Sequence, residues 1–140
     1  MRLTLILTIL SLYLTVNARF SNTYIDSLIT SHIEEINKDS LYSYVLGLQN
    51  FGSRHALNDN RKEVALWIQQ KFESFGIEDV VIDSFEVFLG SMLTWQYNVV
   101  ATIPGETNEY VYVVGGHHDS MASRDSAPGA DDNASGSAAA

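Results

Sequence analysis

Apolar residues recur every three or four positions in three segments of the chain, which is the spacing of one face of an α-helix. The segments span residues 24–36, 40–48 and 60–76. The third opens on Asn60 with Glu63 three positions later, a pair that resembles a helix cap, and it closes on Gly76. We therefore predict three helices, with a loop at 51–60 where turn-forming residues replace the apolar period.

After Gly76 the apolar period changes to two, which is typical of β-strands. Alternating residues predict one strand at 80–87 and another at 95–103, and Pro104-Gly105 ends the second. The continuous apolar run from Tyr110 to Val114 predicts a further strand that is buried on both faces. Helices that precede and cover these strands indicate an α/β fold with a mixed central sheet flanked by helices.

The N-terminus has the composition of an export signal. An apolar run at 3–16 follows Arg2 and closes on Val16-Asn17-Ala18. The run is too short for a membrane-spanning helix, and its last small residues suit a signal peptidase. We predict that residues 1–18 are a signal peptide, that the protein is secreted or periplasmic, and that it makes no stable membrane insertion after signal removal. A buried first helix is the alternative, which the lack of a polar face disfavours.

The charge of the chain bears on its possible partners, and its cysteine content bears on its cellular compartment. The chain has 17 Asp and Glu against 8 Lys and Arg, with a formal net charge of −9. An acidic surface repels phosphate backbones, so we predict no nucleic-acid partner. The absence of Cys fits a periplasmic or freely secreted protein better than a small disulfide-stapled module.

Candidate chemistry begins where the predicted strand at 110–114 ends. Gly115-Gly116 leads into His117, which would project from the carboxyl end of the strand, where open α/β sheets bind ligands. Asp119 lies two positions later, near enough for its carboxylate to accept the proton on the other ring nitrogen of His117. Such a carboxylate would orient a metal-bound imidazole.

A second polar cluster, Asp131-Asp132-Asn133, follows a turn at 127–130 and precedes a helix that we predict to begin near Ser135. His and Asp are ligands that suit zinc. Residue types alone indicate a metal site only weakly, because His and Asp in loops are more often solvated surface.

Two motifs together carry a family resemblance. Gly116-His117-His118-Asp119-Ser120, followed by Pro128-Gly129-Ala130-Asp131-Asp132-Asn133-Ala134-Ser135-Gly136, resembles the paired signature of family twenty-eight of the metallopeptidases. This family comprises dizinc aminopeptidases related to bacterial leucyl aminopeptidase. A looser similarity at 51–55, 67–76 and 98–105 extends the resemblance over most of the chain after residue 18.

The resemblance implies a zinc-exopeptidase fold of the phosphorylase/hydrolase-like type, with residues 19–140 as the N-terminal part of the metallopeptidase domain. It implies two zinc ions in the complete site, with His117 binding one ion and Asp132 bridging both. Asp119 would be the catalytic carboxylate that supports His117, and the peptide between Asp132 and Asn133 would be cis. The substrates would be peptides with a free N-terminus, from which an activated water releases the first residue.

The resemblance also implies a general-base glutamate, a further acid and a second histidine, which we expect after Ala140. The 140 residues would then be an inactive N-terminal fragment, truncated after the first part of the sheet. Two alternatives stay open. One is a non-catalytic secreted relative that uses the fold for binding, and the other is a glutaminyl cyclase or carboxypeptidase variant of the same scaffold.

The remaining polar residues near the motifs have simpler interpretations. We expect His118 to make substrate-side or solvent contacts, and Asp131 to be a helix cap or a hydrogen-bond partner. Arg54 and His55 are interpreted as residues that anchor the loop at 51–60.

Overall fold

The structure, a computed structural model, describes residues 23–107, 109–121 and 126–140. The predicted signal peptide at 1–18 lies outside the described residues. Within these ranges, no helix combines the length and the apolar character needed to cross a membrane. The described residues divide into two compact units, with the boundary between Asn37 and Lys38.

The three predicted helices are confirmed. Helix α1 (Thr23–Glu35) belongs to the first unit. Helices α2 (Lys38–Gln49) and α3 (Arg61–Ser74) open the second unit, on either side of the predicted loop. Helix α2 begins two residues before the predicted start at residue 40, because the apolar period does not mark the polar residues of the first turn.

Asn60 occupies the cap position of α3, but its side chain makes no capping hydrogen bond. Its Nδ2 instead donates to the carbonyl oxygen of Ser53, 2.9 Å away. The predicted capping pair of Asn60 with Glu63 is therefore wrong. The bond to Ser53 turns the Asn60 amide toward the loop and fastens the loop at 51–60 to the start of α3, while Oδ1, the atom that a cap would use, is buried without a hydrogen-bond partner.

Strands β1 (Asp79–Leu89) and β2 (Met92–Thr102) pair antiparallel, from Asp79 opposite Thr102 to Leu89 opposite Met92. The two residues that join them include Gly90 at φ 64°, as tight hairpin turns require. Helix α3 packs against both strands. The α/β prediction is confirmed, and the sheet of the described residues is this two-stranded hairpin.

The predicted strand at 110–114 is not formed. These residues have no strand pairing, and their exposed fractions run from 72% at Tyr110 to 90% at Val113. The apolar run reports β propensity, but a strand also needs a neighbour that accepts its backbone hydrogen bonds. In the described part of the chain β1 and β2 pair with each other, so His117 follows a segment without strand pairing and not a strand end.

The core of the second unit reaches the C-terminal motif. Leu48 of α2, Val64 of α3 and Ala134 are at most 2% exposed and form one cluster. Partly buried side chains surround it: Val45, Phe51, Trp67 and Ile68. Ala134 closes a wide helical turn (Ala130–Ala134), and α4 (Ser135–Ala139) follows, as predicted. The segment that carries Asp132 is thereby anchored between α2 and α3.

Candidate functional site

His117 and Asp119 form the contact expected from their spacing. His117 Nδ1 lies 3.0 Å from Asp119 Oδ1, and the two side chains are about half exposed. A proton on Nδ1 that is donated to this carboxylate leaves the lone pair of Nε2 available for a metal. Asp119 can therefore fix the tautomer of the imidazole in its metal-binding form.

The other ring nitrogen faces the second motif. His117 Nε2 lies 3.2 Å from Asp132 Oδ1. Two atoms bound to one tetrahedral zinc at about 2.0–2.1 Å lie about 3.3–3.4 Å apart. The separation of these donor atoms thus fits a shared zinc ion, and imidazole nitrogen and carboxylate oxygen are both zinc ligands.

This donor set is small. In the ranges 23–107, 109–121 and 126–140, no group of three or more His, Cys, Asp and Glu side chains is arranged to hold a metal ion. Catalytic zinc sites use three protein ligands and a water. His117 and Asp132 together can supply two of those ligands to one ion.

The turn before α4 positions Asp132. Gly129 has φ 50° and ψ 46°, and its carbonyl accepts the N–H of Ala134 at 3.0 Å. The peptide between Asp132 and Asn133 is cis, as the family resemblance implied. Asn133 Oδ1 then accepts the N–H of Gly136 at 3.1 Å, which ties the turn to α4.

His118, next to the candidate ligand, bonds to strand β2. Its Nε2 lies 2.9 Å from the carbonyl oxygen of Tyr97 on β2, and the side chain is partly buried. Since a carbonyl only accepts, Nε2 carries the proton and donates it. The structure adds a main-chain partner on β2 for the partly exposed ring, and the substrate-side or solvent contact of His118 stays a prediction.

The sequence alone does not reveal that Arg54 contacts both motif loops. The sequence indicates a loop anchor, and in the structure Arg54 is 3% exposed and its guanidinium donates to the carbonyl oxygens of both motif loops. Burial lowers the pKa of Arg54, and the Asp119 carboxylate opposes that shift. The only indication of this role in the sequence is that Arg54 lies within Gly52-Ser53-Arg54-His55. This segment is similar to the family, but the similarity is unspecific when taken alone.

Comparison with known proteins identifies what the site resembles. The sequence profile of Peptidase family M28 matches residues 98–140, the part that contains both motifs. A probable leucine aminopeptidase of Arthroderma otae is 36% identical over 114 residues, which cover 79% of this chain and 30% of the relative. Leucine aminopeptidase 1 of Trichophyton equinum is 34% identical over 119 residues, covering 78% of this chain and 30% of the relative.

Leucine aminopeptidase 1 of Ajellomyces capsulatus is 32% identical over 111 residues, which cover 74% of this chain and 27% of the relative. The chain therefore spans about 30% of the length of the curated relatives it matches. No solved structure matches the chain significantly.

Proposed function

The chain belongs to peptidase family M28, and from that premise we propose that the protein is a zinc-dependent aminopeptidase. Its substrates are peptides with a free N-terminus, and it releases the N-terminal residue by hydrolysis. The names of the fungal relatives, leucine aminopeptidases, support this reaction class. The single structural observation that carries the proposal is the placement of His117 between two carboxylates.

Each side chain of this trio has a distinct role in the proposal. His117 would hold zinc through Nε2, and Asp132 would be the carboxylate ligand shared by the two ions. Asp119 holds the proton of His117 Nδ1 and so keeps Nε2 unprotonated toward the metal. When bound, the zinc pair supplies Lewis-acid polarisation of the scissile carbonyl and lowers the pKa of a water toward neutrality.

The proposed function is tested with the complete gene product, because this chain spans about 30% of the length of its relatives. Hydrolysis of leucine anilide, its loss on dialysis against a chelator and its return on addition of Zn²⁺ would support an aminopeptidase. An N-acetylated leucine anilide is the matched control, since an aminopeptidase needs the free amine. Equal hydrolysis of the two anilides, or hydrolysis of neither, would contradict the proposal.

Asp119→Asn is expected to lower both zinc affinity and kcat/KM by about 10–100-fold, the usual range for residues that support a metal ligand. The amide keeps the shape of the carboxylate but loses the negative charge that stabilises the imidazole. Zinc affinity is measured by competition with a chromophoric chelator, and kcat/KM with leucine anilide. Asp83→Asn, at an exposed aspartate of β1, is the matched control. Unchanged values for the Asp119 variant would remove it as the partner of His117.

We further propose that the protein is exported and that residues 1–18 are cleaved as a signal peptide. Val16 and Ala18 are small enough to bracket a cleavage point. N-terminal sequencing of protein recovered from the culture medium or periplasm should then begin at Arg19. Mature protein that starts at Met1 would contradict the proposal.

A further inference from the structure

Arg54 connects the two motif loops to the core through four hydrogen bonds of one guanidinium group. It belongs to the loop between α2 and α3, and its side chain is almost wholly buried. The bonds run from Nε to the carbonyl oxygen of His118 (2.7 Å), from Nη1 to those of Leu48 (2.8 Å) and Pro128 (2.7 Å), and from Nη2 to that of Gly129 (2.9 Å).

The accepting carbonyls stand close to the candidate ligands in the chain. His118 directly follows His117, and Gly129 lies three residues before Asp132. Leu48 lies in the last turn of α2, where a helix leaves carbonyl groups without intrahelical partners. One rigid planar group therefore holds the loop of the histidine and the loop of the aspartate at fixed distances from the same helix.

Ser120 reinforces this connection. The Arg54 N–H donates to Ser120 Oγ at 3.0 Å, and the Ser120 N–H donates to the Arg54 carbonyl at 3.2 Å. Ser120 Oγ in turn donates to the carbonyl of Ala127, just before the second motif. The buried hydroxyl thus extends the same contact between the two loops.

The atoms around Gly129 are closely packed. A Cβ atom at Gly129 would lie 2.5 Å from both the Asp132 carbonyl oxygen and Ser120 Cβ, and 3.0 Å from Arg54 Nη2. These distances are shorter than van der Waals contact. A shift of the guanidinium would therefore be transmitted to the turn that carries Asp132.

We propose that Arg54 is the positioning residue that sets the separation between His117 Nε2 and Asp132 Oδ1, and through it the zinc affinity of the site. This inference rests on the proposed function, in which the site binds zinc. The Arg54 side chain donates its hydrogen bonds to backbone carbonyls and not to the side chains of His117 or Asp132, so it acts through the backbone of the two loops.

The four acceptors require an arginine. A guanidinium offers five N–H donors in a fixed plane and stays charged at any physiological pH, whereas a lysine offers three donors that radiate from one flexible nitrogen. A lysine could keep the charge and some of the bonds, but three donors on one nitrogen cannot serve four carbonyl oxygens at once. Arg54→Lys is for this reason the informative variant.

The test compares Arg54→Lys with Arg61→Lys in the complete gene product. Arg61, at the start of α3, also bonds through its guanidinium to two carbonyl oxygens, those of Asn58 and Trp95, but neither lies in a motif loop. Zinc affinity is measured by chelator competition, the ligand field by the visible spectrum of the Co²⁺-substituted protein, and the fold by circular dichroism and Tm.

Arg54→Lys should weaken zinc binding by about 10–100-fold, the range for residues that orient metal ligands, and should change the Co²⁺ spectrum. Arg61→Lys should leave affinity and spectrum as in the wild type, even if its Tm falls by as much. A lower Tm for Arg54→Lys with unchanged affinity and spectrum would overturn the proposal, because Arg54 would then support only the fold.

Ser120→Ala provides the second variant if Arg54→Lys does not fold, since it removes one hydroxyl from the same contact. It should also weaken zinc binding, and unchanged affinity would count against the proposal.

The outcomes distinguish the positioning role of Arg54 from the proposed function. Zinc affinity that depends on Arg54 in a protein without peptidase activity would refute only the proposed function. Peptidase activity with zinc affinity independent of Arg54 would refute only the positioning role, and a wild-type protein that binds no zinc would refute both.

Discussion

Asp132→Asn in the complete gene product should lower kcat/KM for leucine anilide by more than about 100-fold, the upper end of the range for residues that merely support a ligand. Asp132 is proposed to bind zinc directly, and its Oδ1 lies 3.2 Å from His117 Nε2. The amide keeps an oxygen in place but removes the negative charge that a metal-bridging carboxylate supplies. Zinc content after dialysis should fall together with the rate.

Asp131→Asn is the matched control for this prediction. Asp131 is the adjacent acid in the same turn, and it was interpreted as a cap or hydrogen-bond partner and not as a ligand. Its carbonyl oxygen accepts the hydroxyl of Ser135 at 2.8 Å, a bond that a side-chain amide would leave intact. An equal loss of activity in the two variants would mean that the turn, and not the Asp132 carboxylate, is what the site needs.

The helices and the hairpin could be predicted because their signals are local. An apolar period of three to four residues is complete within α3, and an alternating period is complete within β1 and β2. The contact of His117 with Asp119 is equally local, since two positions separate them. Such features need no knowledge of where the rest of the chain lies.

Features that depend on distant partners were missed. The run from Tyr110 to Val114 has the composition of a buried strand, but strand formation is decided by a neighbour, and composition does not name one. Three of the four guanidinium hydrogen bonds of Arg54 join positions 64 to 75 residues apart, those to His118, Pro128 and Gly129. A single Arg in a polar loop does not indicate which distant carbonyls it will bond, so only the fold reveals them.

Asn60 shows a third source of error, in which two local rules compete. Its position before α3 and the glutamate at position 63 favour a capping box, yet its amide binds the loop carbonyl of Ser53. The observed arrangement leaves Asn60 Oδ1 buried without a hydrogen-bond partner, so the tertiary position of the loop outweighs the local capping preference.

Residues 19–140, expressed alone, should hydrolyse no aminoacyl anilide and should bind zinc more than about 100-fold more weakly than the complete gene product, since loss of whole ligands exceeds the effect of losing a supporting residue. His117 and Asp132 are the candidate ligands, and the described residues contain no cluster of three or more potential metal-binding side chains. Catalytic zinc requires three protein ligands, and we propose that the others lie outside these 140 residues.

Calorimetric titration with Zn²⁺ and an anilide assay, run on residues 19–140 beside the complete gene product, measure both quantities. Circular dichroism measures the helix and strand content of the shorter protein, so that weak binding is not mistaken for unfolding. Residual zinc binding by the shorter protein should disappear in His117→Ala, because one of two candidate ligands is removed. Stoichiometric tight binding of two zinc ions together with hydrolysis by residues 19–140 would show that the whole site lies within them, contrary to this prediction.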